Sequence, residues 1–221
     1  MLILGISAFY HDSAAALVKD GHVISAVEEE RFSRLKHDNQ FPFRAVKFIL
    51  AEAGFSINDV DSIAYYEKPL LKFERVLENF VYTYPFSLRP FVRSVPEWLG
   101  HKIKVEQIIR DKLGFRGKIF FIPHHFSHAA AAFFPSQFAE SAILTIDGIG
   151  EYQTTGLWRG QGGRIIPFKK IDFPHSLGLF YAAFTAFLGF RVNEDEYKVM
   201  GLAAYGKPRY TDKIYQTIDV R

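Results

Sequence analysis

Two histidines and an aspartate have the residue types and the spacing most suggestive of chemistry. In the stretch "FIPHHFSHAAAAFFPSQFAESAILTIDGIGE", His124 and His128 are four residues apart, and Asp147 follows an apolar run. Residues four apart in a helix lie one turn apart on one face, so a single cation can reach both imidazoles, whereas His125 points elsewhere. Two imidazoles and a carboxylate commonly bind a divalent transition metal. The alternative is that the histidines begin a helix and Asp147 opens a turn.

Two glycines follow this aspartate, and a second candidate group lies near the N-terminus. Gly148 and Gly150 allow the backbone to approach a ligand closely, so we predict that both contact a cofactor. His11 and Asp12 precede Ser13 in the first turn of the chain. A histidine there can act as a general base toward a hydroxyl, because its unperturbed pKa is near neutrality. Hydrogen bonding within the turn is the alternative role.

A charged run, "EEERFSRLKHD", occupies residues 28–38. Such a run is usually a solvated face, and the functional alternative is an anion site lined by Arg31, Arg34 and Lys36.

A second charged stretch, "NEDEYKVMGLAAYGKP", places carboxylates and a lysine before a glycine-rich segment. Its carboxylates could bind ribose hydroxyls and its glycines could approach a nucleotide, although a surface helix that ends at glycine has the same letters. The predicted nucleotide contacts are Glu194, Glu196 and Lys198.

Apolar patterns predict the elements that position these residues. A helix is predicted from Pro42 to Gly54, where apolar residues at helical spacing lie between a proline and a glycine. Residues 70–114 are predicted to be helical, with interruptions at Pro85, Pro90 and Pro96. Strands are predicted at "LILGISA", on both sides of the turn Asp20-Gly21, at "VDSIAYYE", and at "KIFFIP" just before the histidine helix.

The order of elements repeats within the chain. Residues 2–28 and 142–170 each contain an apolar strand, a turn with Asp or Gly, a second strand, a polar turn and a third strand. This repeat predicts two lobes of similar topology that face a cleft, with each first turn directed into it, where backbone amides can hold phosphate oxygens. Two unrelated three-stranded units are the alternative.

Composition limits the classes of partner. With 221 residues, of which 48% are hydrophobic, the chain can bury a substantial core. A net charge of +3 gives no indication of nucleic acid or of a membrane surface. There is no cysteine, so a bound metal must use histidine, carboxylate or water. The N-terminus has the pattern of neither a signal peptide nor a membrane span, and we expect a cytoplasmic protein.

Six ordered motifs carry a family resemblance that spans nearly the whole chain. The sequence resembles the O-carbamoyltransferases of the nodulation-protein and antibiotic-biosynthesis type, which are similar to tRNA threonylcarbamoyl transferase. The resemblance implies an α/β fold with the duplicated lobes of actin, sugar kinases and heat-shock ATPases, in agreement with the repeat. The motifs are "GISAFYHDSAAALV", "EEERFSRLKHD", "HHFSHAAAAFF", "DGIGE", "HSLGLFYAAFTAFLGF" and "EYKVMGLAAYGKP".

The resemblance also implies a reaction. An adenylate-forming domain makes carbamoyl-adenylate from ATP and carbamoyl phosphate, and the domain present here passes the carbamoyl group to a substrate hydroxyl. The resemblance implies that His124, His128 and Asp147 match the metal ligands and hold iron(II), which would act as a Lewis acid. His11 matches a histidine that assists transfer, and we assign His11 and Asp12 as catalytic. The acceptor is a hydroxylated small molecule, and the resemblance also allows a homodimer.

The sequence departs from the family pattern in two ways. Asp195 stands where glycine is expected, so a positive φ there would be strained. Relatives are also more than twice as long. We therefore expect residues 1–140 to form the first lobe with a helical insertion, and residues 141–221 to begin an incomplete second lobe. The isolated chain is then expected to be inactive with ATP and carbamoyl phosphate, and to expose apolar surface around "GLFYAAFTAFLGF".

Two other functions remain open at this point. One is a nucleotide-binding module of the actin or heat-shock type that transfers no group, although such ATPases position magnesium through carboxylates and water rather than through imidazoles. The other is a non-catalytic protein whose aromatic middle, "YYEKPLLKFERVLENFVYTYPF", binds a partner.

Overall fold

The computed structural model describes residues 1–218, and the chain divides into two compact units, Met1–Ser176 and a second unit that begins at Leu177. The strands are β1 (Leu2–Ser7), β2 (Ala14–Lys19), β3 (His22–Glu28), β4 (Ser62–Tyr65), β5 (Lys118–Phe121), β6 (Glu140–Ile146), β7 (Gln153–Gln161) and β8 (Arg164–Asp172). The helices are α1 (Glu30–Ser33), α2 (Phe43–Glu52), α3 (Pro69–Thr83), α4 (Leu88–Gly100), α5 (Val105–Leu113), α6 (His124–Phe133), α7 (Leu177–Phe187), α8 (Glu196–Ala203) and α9 (Thr211–Thr217).

The first sheet has five strands in the order β3-β2-β1-β4-β5. Strands β1 to β3 form an antiparallel meander, whereas β4 and β5 run parallel to β1. Alternate residues of β1 are buried, because successive side chains of a strand point to opposite faces. Leu4 and Ile49 are fully buried in the main core, which joins this sheet to α2 and α5.

Helix α2 confirms the prediction of a helix between Pro42 and Gly54. The carboxylate of Glu29 accepts hydrogen bonds from the backbone N–H of Ala45 at 2.8 Å and of Arg44 at 3.3 Å, which satisfies donors that the first turn leaves free. Gly54 follows the helix with a φ of +70°, a conformation that glycine adopts without strain. Glu29 is therefore a buried cap rather than part of a solvated charged face.

The second sheet is an antiparallel meander in the order β6-β7-β8. It confirms the prediction that residues 142–170 form strands, and it has the same plan as β1 to β3. Helix α6 packs on one face of this sheet through Ala129 and Phe133, which contact Ile143 and Trp158. The α/β fold with two matching three-stranded units is therefore as predicted.

Helices α3, α4 and α5 form the helical insertion between β4 and β5. Pro85 lies between α3 and α4, as predicted, but Pro90 and Pro96 lie inside α4 and do not interrupt it. Pro90 is in the first turn, where its missing N–H has no partner within the helix. Pro96 removes one interior hydrogen bond. Packing keeps α4 in place, since the Trp98 ring lies 5.4 Å from that of Phe73.

The second unit contains α7, α8 and α9. Asp195 has a φ of −118° and is not strained; the left-handed residue of this segment is Asn193, at +66°. In residues 1–218 no helix is both long and apolar enough to cross a membrane. The proposed lobe boundary between residues 140 and 141 lies at the start of β6, inside the first compact unit, and stays a prediction.

Candidate functional site

Helix α6 begins at His124 because a buried carboxylate holds its first backbone N–H. Pro123 precedes the helix with extended backbone and ends the strand segment. Both oxygens of Glu151 lie 3.1 Å from the His124 nitrogen, and one of them also accepts the Lys68 N–H at 2.7 Å. A carboxylate at a helix N-terminus is stabilised by the helix dipole as well as by these hydrogen bonds. Glu151 therefore sets where the histidine helix starts.

The structure brings His124, His128 and Asp147 together, as their spacing predicts. Their ligand atoms all lie within 4.8 Å of one another. His124 Nε2 lies 2.6 Å from Asp147 Oδ2, and His128 Nε2 lies 3.5 Å from the same oxygen. The two Nε2 atoms are 3.1 Å apart. One helix face thus presents two imidazoles to one carboxylate at the end of β6.

This arrangement fits a divalent metal by the chemistry of its donors. Two imidazole nitrogens and a carboxylate oxygen suit zinc, iron and neighbouring metals, with ligand bonds of about 2.0–2.2 Å. Two nitrogens that face each other this closely are mutually repulsive unless a proton or a cation lies between them. The His124 side chain is 10% exposed and that of His128 is 53% exposed, so an ion could enter from the His128 side.

The turn that follows β6 fixes the Asp147 carboxylate. Asp147 Oδ1 accepts the Gly148 N–H at 2.6 Å, and the Asp147 N–H donates to the Thr154 carbonyl at 2.9 Å. Burial alone would raise the pKa of Asp147, but the hydrogen bonds to His124 and His128 outweigh it and hold the pKa well below its usual range. Asp147 is therefore ionised at neutral pH, and the Gly148 N–H is already engaged.

Gly150 and His125 have packing roles beside this group. A Cβ atom on Gly150 would lie 3.1 Å from His124 Cβ and 3.2 Å from His125 Cδ2, so only glycine fits against the helix without displacement. His125 Nδ1 lies 2.8 Å from the hydroxyl of Thr145, which also accepts the Trp158 N–H at 3.0 Å. Burial lowers the pKa of His125, which keeps this histidine neutral. His125 thus points away from the candidate metal ligands, as predicted.

The N-terminal group contains a residue that was not predicted. Asp12 Oδ2 lies 2.8 Å from His11 Nδ1, and Asp12 Oδ1 lies 2.8 Å from His37 Nδ1. Burial works against ionisation of Asp12, but the hydrogen bonds to His37 and His11 outweigh it, and its pKa is lowered. His11 and Asp12 therefore interact with each other, and His37 completes the group.

A row of contacts links the two groups. The His11 ring lies 4.3 Å from the ring of Tyr10, and the Lys72 ammonium lies 5.0 Å from the same Tyr10 ring. Lys72 forms a buried ion pair with Glu67 at 2.6 Å. The neighbouring Tyr66 ring meets His124 edge to face, with centroids 5.6 Å apart. Tyr10 and Tyr66 thus lie on the route from the first turn to the candidate metal ligands.

The basic residues of the charged run are spread along α1 and the turn after it. Arg31 lies 3.6 Å from Glu28 and lines a cavity of about 620 Å³ on the first sheet, together with Tyr66 and Ser127. Arg34 and Lys36 are exposed, and Lys36 directly precedes His37. Of the three cations, the lining of this cavity includes Arg31 alone, and the role of the three toward an anion stays a prediction.

The predicted nucleotide contacts of the second unit take part in local interactions. Glu194 pairs with Arg191 at 3.2 Å, and Glu196 accepts the Asn193 N–H at 2.7 Å. Lys198 pairs with Asp195 at 2.7 Å, which raises the pKa of Lys198 and lowers that of Asp195. These contacts are typical of a capped surface helix, and the nucleotide role of the three residues stays a prediction.

Sequence reasoning missed Glu151, His37 and Glu67. Glu151 contacts residues 27 and 83 positions away, and His37 contacts Asp12 across 25 positions. No periodic pattern can indicate such contacts. The only signal was that each lies in a motif already singled out, namely "DGIGE", "RLKHD" and "YYEKP".

Known proteins are similar to this chain over most of its length. The sequence profile described as carbamoyltransferase N-terminus matches residues 2–220. An uncharacterized protein of Synechocystis is 51% identical over 224 residues, which cover 98% of this chain and 36% of that protein. Nodulation protein NolNO of Sinorhizobium fredii is 40% identical over 205 residues, which cover 91% of this chain and 29% of that protein. The chain thus spans about a third of the length of these relatives.

Solved structures with a similar fold are more distant in sequence. YeaZ from Pseudomonas aeruginosa is 16% identical, with a TM-score of 0.43 over 79% of this chain and 69% of that chain. A putative N-acetylmannosamine kinase from Listeria monocytogenes is 11% identical, with a TM-score of 0.37 over 94% of this chain and 72% of that chain. Likenesses at this level say nothing about what the present chain binds.

Proposed function

Because this chain belongs to the carbamoyltransferase N-terminus family, we propose that it passes a carbamoyl group from carbamoyl-adenylate to a hydroxyl of a small-molecule acceptor. The observation that carries the proposal is the convergence of His124, His128 and Asp147 within 4.8 Å. The contacts through Tyr10 and Tyr66 toward His11 support it, because they link a candidate base to the candidate metal ligands.

The proposed donor is a mixed anhydride of carbamate and AMP, made from ATP and carbamoyl phosphate by an adenylate-forming domain outside this chain. Its carbonyl carbon is the electrophile and AMP is the leaving group. Lys36, which directly precedes His37, is the proposed positive charge toward a phosphate of the donor. Gly148 and Gly150 are proposed to shape the turn beside the ligand rather than to bind it, since their contacts are to Asp147 and α6.

The proposed metal is iron(II) or another divalent ion held by His124, His128 and Asp147. When bound, it would supply Lewis-acid polarisation of the donor carbonyl. Asp147 is suited to hold it, because its carboxylate is ionised and oriented by the Gly148 N–H. Glu151 and Gly150 keep the start of α6 against this turn, so the two imidazoles are positioned before any ion arrives.

His11 is the proposed general base. Asp12 lies at its Nδ1, which leaves Nε2 free to accept a proton. The hydroxyl oxygen of the acceptor attacks the carbamoyl carbon, and its proton passes to His11 Nε2. The bond between that carbon and the phosphate oxygen breaks, AMP leaves with the electron pair, and the product is an O-carbamate. The imidazolium that forms is stabilised by the Asp12 carboxylate.

The direct test supplies the purified chain with iron(II), preformed carbamoyl-adenylate and a panel of hydroxylated acceptors, and follows AMP release and carbamate formation. We expect His11→Ala to slow transfer by about 10²- to 10⁴-fold, as for loss of a general base. His22→Ala is the matched control, since His22 is exposed at the β2–β3 turn. Transfer by His11→Ala at the wild-type rate would contradict the assignment. In a parallel assay that supplies ATP alone, hydrolysis of ATP by a chain that transfers no carbamoyl group would instead favour a nucleotide-binding module.

A further inference from the structure

The Asp12 carboxylate is shared by two histidines from different turns. Each of its oxygens lies 2.8 Å from one imidazole Nδ1, Oδ2 from that of His11 and Oδ1 from that of His37. An ionised carboxylate can only accept hydrogen bonds, so both Nδ1 atoms must carry the proton. Each ring then has its lone pair on Nε2. The geometry therefore selects one tautomer for both histidines.

The two Nε2 atoms differ in access. The His11 side chain is 44% exposed, so its Nε2 can reach a substrate. His37 Nε2 is buried and has no hydrogen-bond partner among the described residues. A buried ring nitrogen cannot reach the hydroxyl of a substrate. His37 is thus unsuited to act as the base, and its function must pass through Asp12.

The backbone holds this arrangement at some cost. Asp12 and His37 have φ values of +50° and +57°, which residues other than glycine adopt in only a few per cent of cases, although Asp and His do so more readily than most. The two turns are tied together, because the Ser13 N–H donates to the Asp38 carbonyl at 2.8 Å. Glu30 accepts the His37 N–H at 3.1 Å. The loop after α1 is therefore built to bring His37 to Asp12.

We infer that His37 is a positioning residue for carbamoyl transfer: it occupies Oδ1 of Asp12, reserves Oδ2 for His11, and so keeps His11 in the tautomer whose Nε2 accepts the proton of the attacking hydroxyl. This inference rests on the proposed function of His11. Without His37, the Asp12 carboxylate can rotate or bind water, and His11 loses the partner that selects its tautomer.

Three substitutions of His37 distinguish the effect of its N–H donor from the effect of its backbone conformation. His37→Asn keeps an N–H donor near the position of Nδ1, and asparagine tolerates positive φ. His37→Gly also tolerates positive φ but has no donor. His37→Ala loses the donor and strains the backbone. The positioning role predicts that the asparagine variant resembles the wild type and that the other two differ from it.

The first readout is the tautomer of His11, measured by ¹⁵N NMR of the histidine rings at a pH where they are neutral, with His11→Ala to assign the signal. We expect wild type and His37→Asn to show the Nδ1–H form, and His37→Gly to show a mixture with the Nε2–H form.

The second readout is transfer from carbamoyl-adenylate. We expect kcat to fall about 10-fold in His37→Gly, part of what a general base supplies, with KM unchanged.

Two outcomes would overturn the inference. One is a wild-type His11 tautomer and kcat in His37→Gly. The other is a loss of tautomer selection in His37→Asn as large as in His37→Gly, with both variants folded by circular dichroism. A third outcome is that the His11 tautomer changes in His37→Gly but neither the wild type nor any variant transfers the carbamoyl group. This result would support positioning by His37 and refute the proposed function. The two failures are therefore distinguishable.

Discussion

One carboxylate oxygen of Asp147 contacts both His124 and His128, so the ionisation of Asp147 affects both histidines. Its folded-state pKa is well below the unfolded value near 4, because the hydrogen bonds to His124 and His128 outweigh the effect of burial. A carboxylate with a lowered pKa contributes stability above its unfolded pKa and loses that contribution as the pH falls. The candidate metal ligands are thus acid-sensitive even in metal-free protein.

Asp147→Asn should therefore change the pH dependence of stability. We expect the free energy of unfolding of the metal-free wild type to exceed that of the variant at pH 5 to 6, and the difference to shrink as the pH falls below about 4. Urea denaturation at several pH values measures this difference, in which the titration of all other carboxylates cancels. A difference that stays constant down to pH 2 would contradict the role given to Asp147.

Gly150 is the glycine at which an added methyl group would disturb the candidate metal ligands directly. Gly150→Ala would place Cβ 3.1 Å from His124 Cβ, so the helix or the turn must move. We expect a loss of about 1–3 kcal/mol, as for overpacking, together with weaker metal binding. Gly5→Ala is the control, since a Cβ there meets its neighbours at an ordinary 3.7 Å. Thermal unfolding and metal titration compare the two, and equal effects would remove the special role of Gly150.

Helix α6 depends on a cap supplied from another element. Glu151 is buried and accepts the backbone N–H of His124 and of Lys68, which precedes α3. One side chain thus joins the histidine helix, the helical insertion and the turn after β6. The same device holds α2, whose cap is Glu29.

Glu151→Gln should destabilise the chain. The amide has one acceptor oxygen and no charge, so we expect a loss of about 1.5–3 kcal/mol, the value of hydrogen bonds to charged groups. Glu140→Gln is the matched control, because Glu140 is an exposed partner of Arg159 and such pairs contribute less than about 1 kcal/mol. Chemical denaturation gives both values. A Glu151→Gln variant as stable as Glu140→Gln would show that the cap is dispensable.

Local sequence patterns predicted the helices and strands well, but they predicted the side-chain contacts between these elements poorly. The Asp20-Gly21 turn, the helix before Gly54 and the second meander follow from hydrophobic periodicity and turn chemistry, which act over a few residues. The site was predictable where its spacing is helical, as for His124 and His128. Pro96 was misjudged because tertiary packing can outweigh one lost hydrogen bond. His37 and Glu151 act across the fold, where spacing in the sequence carries no information.

The second sheet leaves one face apolar and exposed. α6 covers the face that carries Ile143 and Trp158, whereas the alternate residues of β6 point the other way. Large apolar side chains exposed on β6 and β8 are Leu144, Ile146, Ile166, Phe168 and Ile171. Apolar residues of α7 are exposed as well, as predicted, among them Phe184 and Phe187. Patches of this kind promote association.

The purified chain should therefore self-associate as its concentration rises. We expect the double variant Leu144→Lys and Phe168→Lys to shift the equilibrium toward monomer, because charges on this face oppose burial. Glu52→Lys, which adds the same two units of positive charge at an exposed position of α2, is the control for net charge. Sedimentation velocity over a range of concentrations measures the effect. A monomeric wild type at high concentration would show that this face does not associate.

The turn from Asp147 to Glu151 contacts the His124 backbone N–H, the His124 ring and, through Gly150, the start of α6, so the proposed metal would also protect this turn from proteolysis. An ion that binds only the closed turn stabilises it by mass action, by about 2.7 kcal/mol at a concentration of 100 times Kd. A nonspecific protease should therefore cut metal-free chains between residues 148 and 152 faster than it cuts loaded chains, although the turn is formed in both. Limited proteolysis with and without a chelator, with cleavage sites mapped by mass spectrometry, tests this. If the proposed ion binds here, a protease would thus remove metal-free copies in preference to loaded ones.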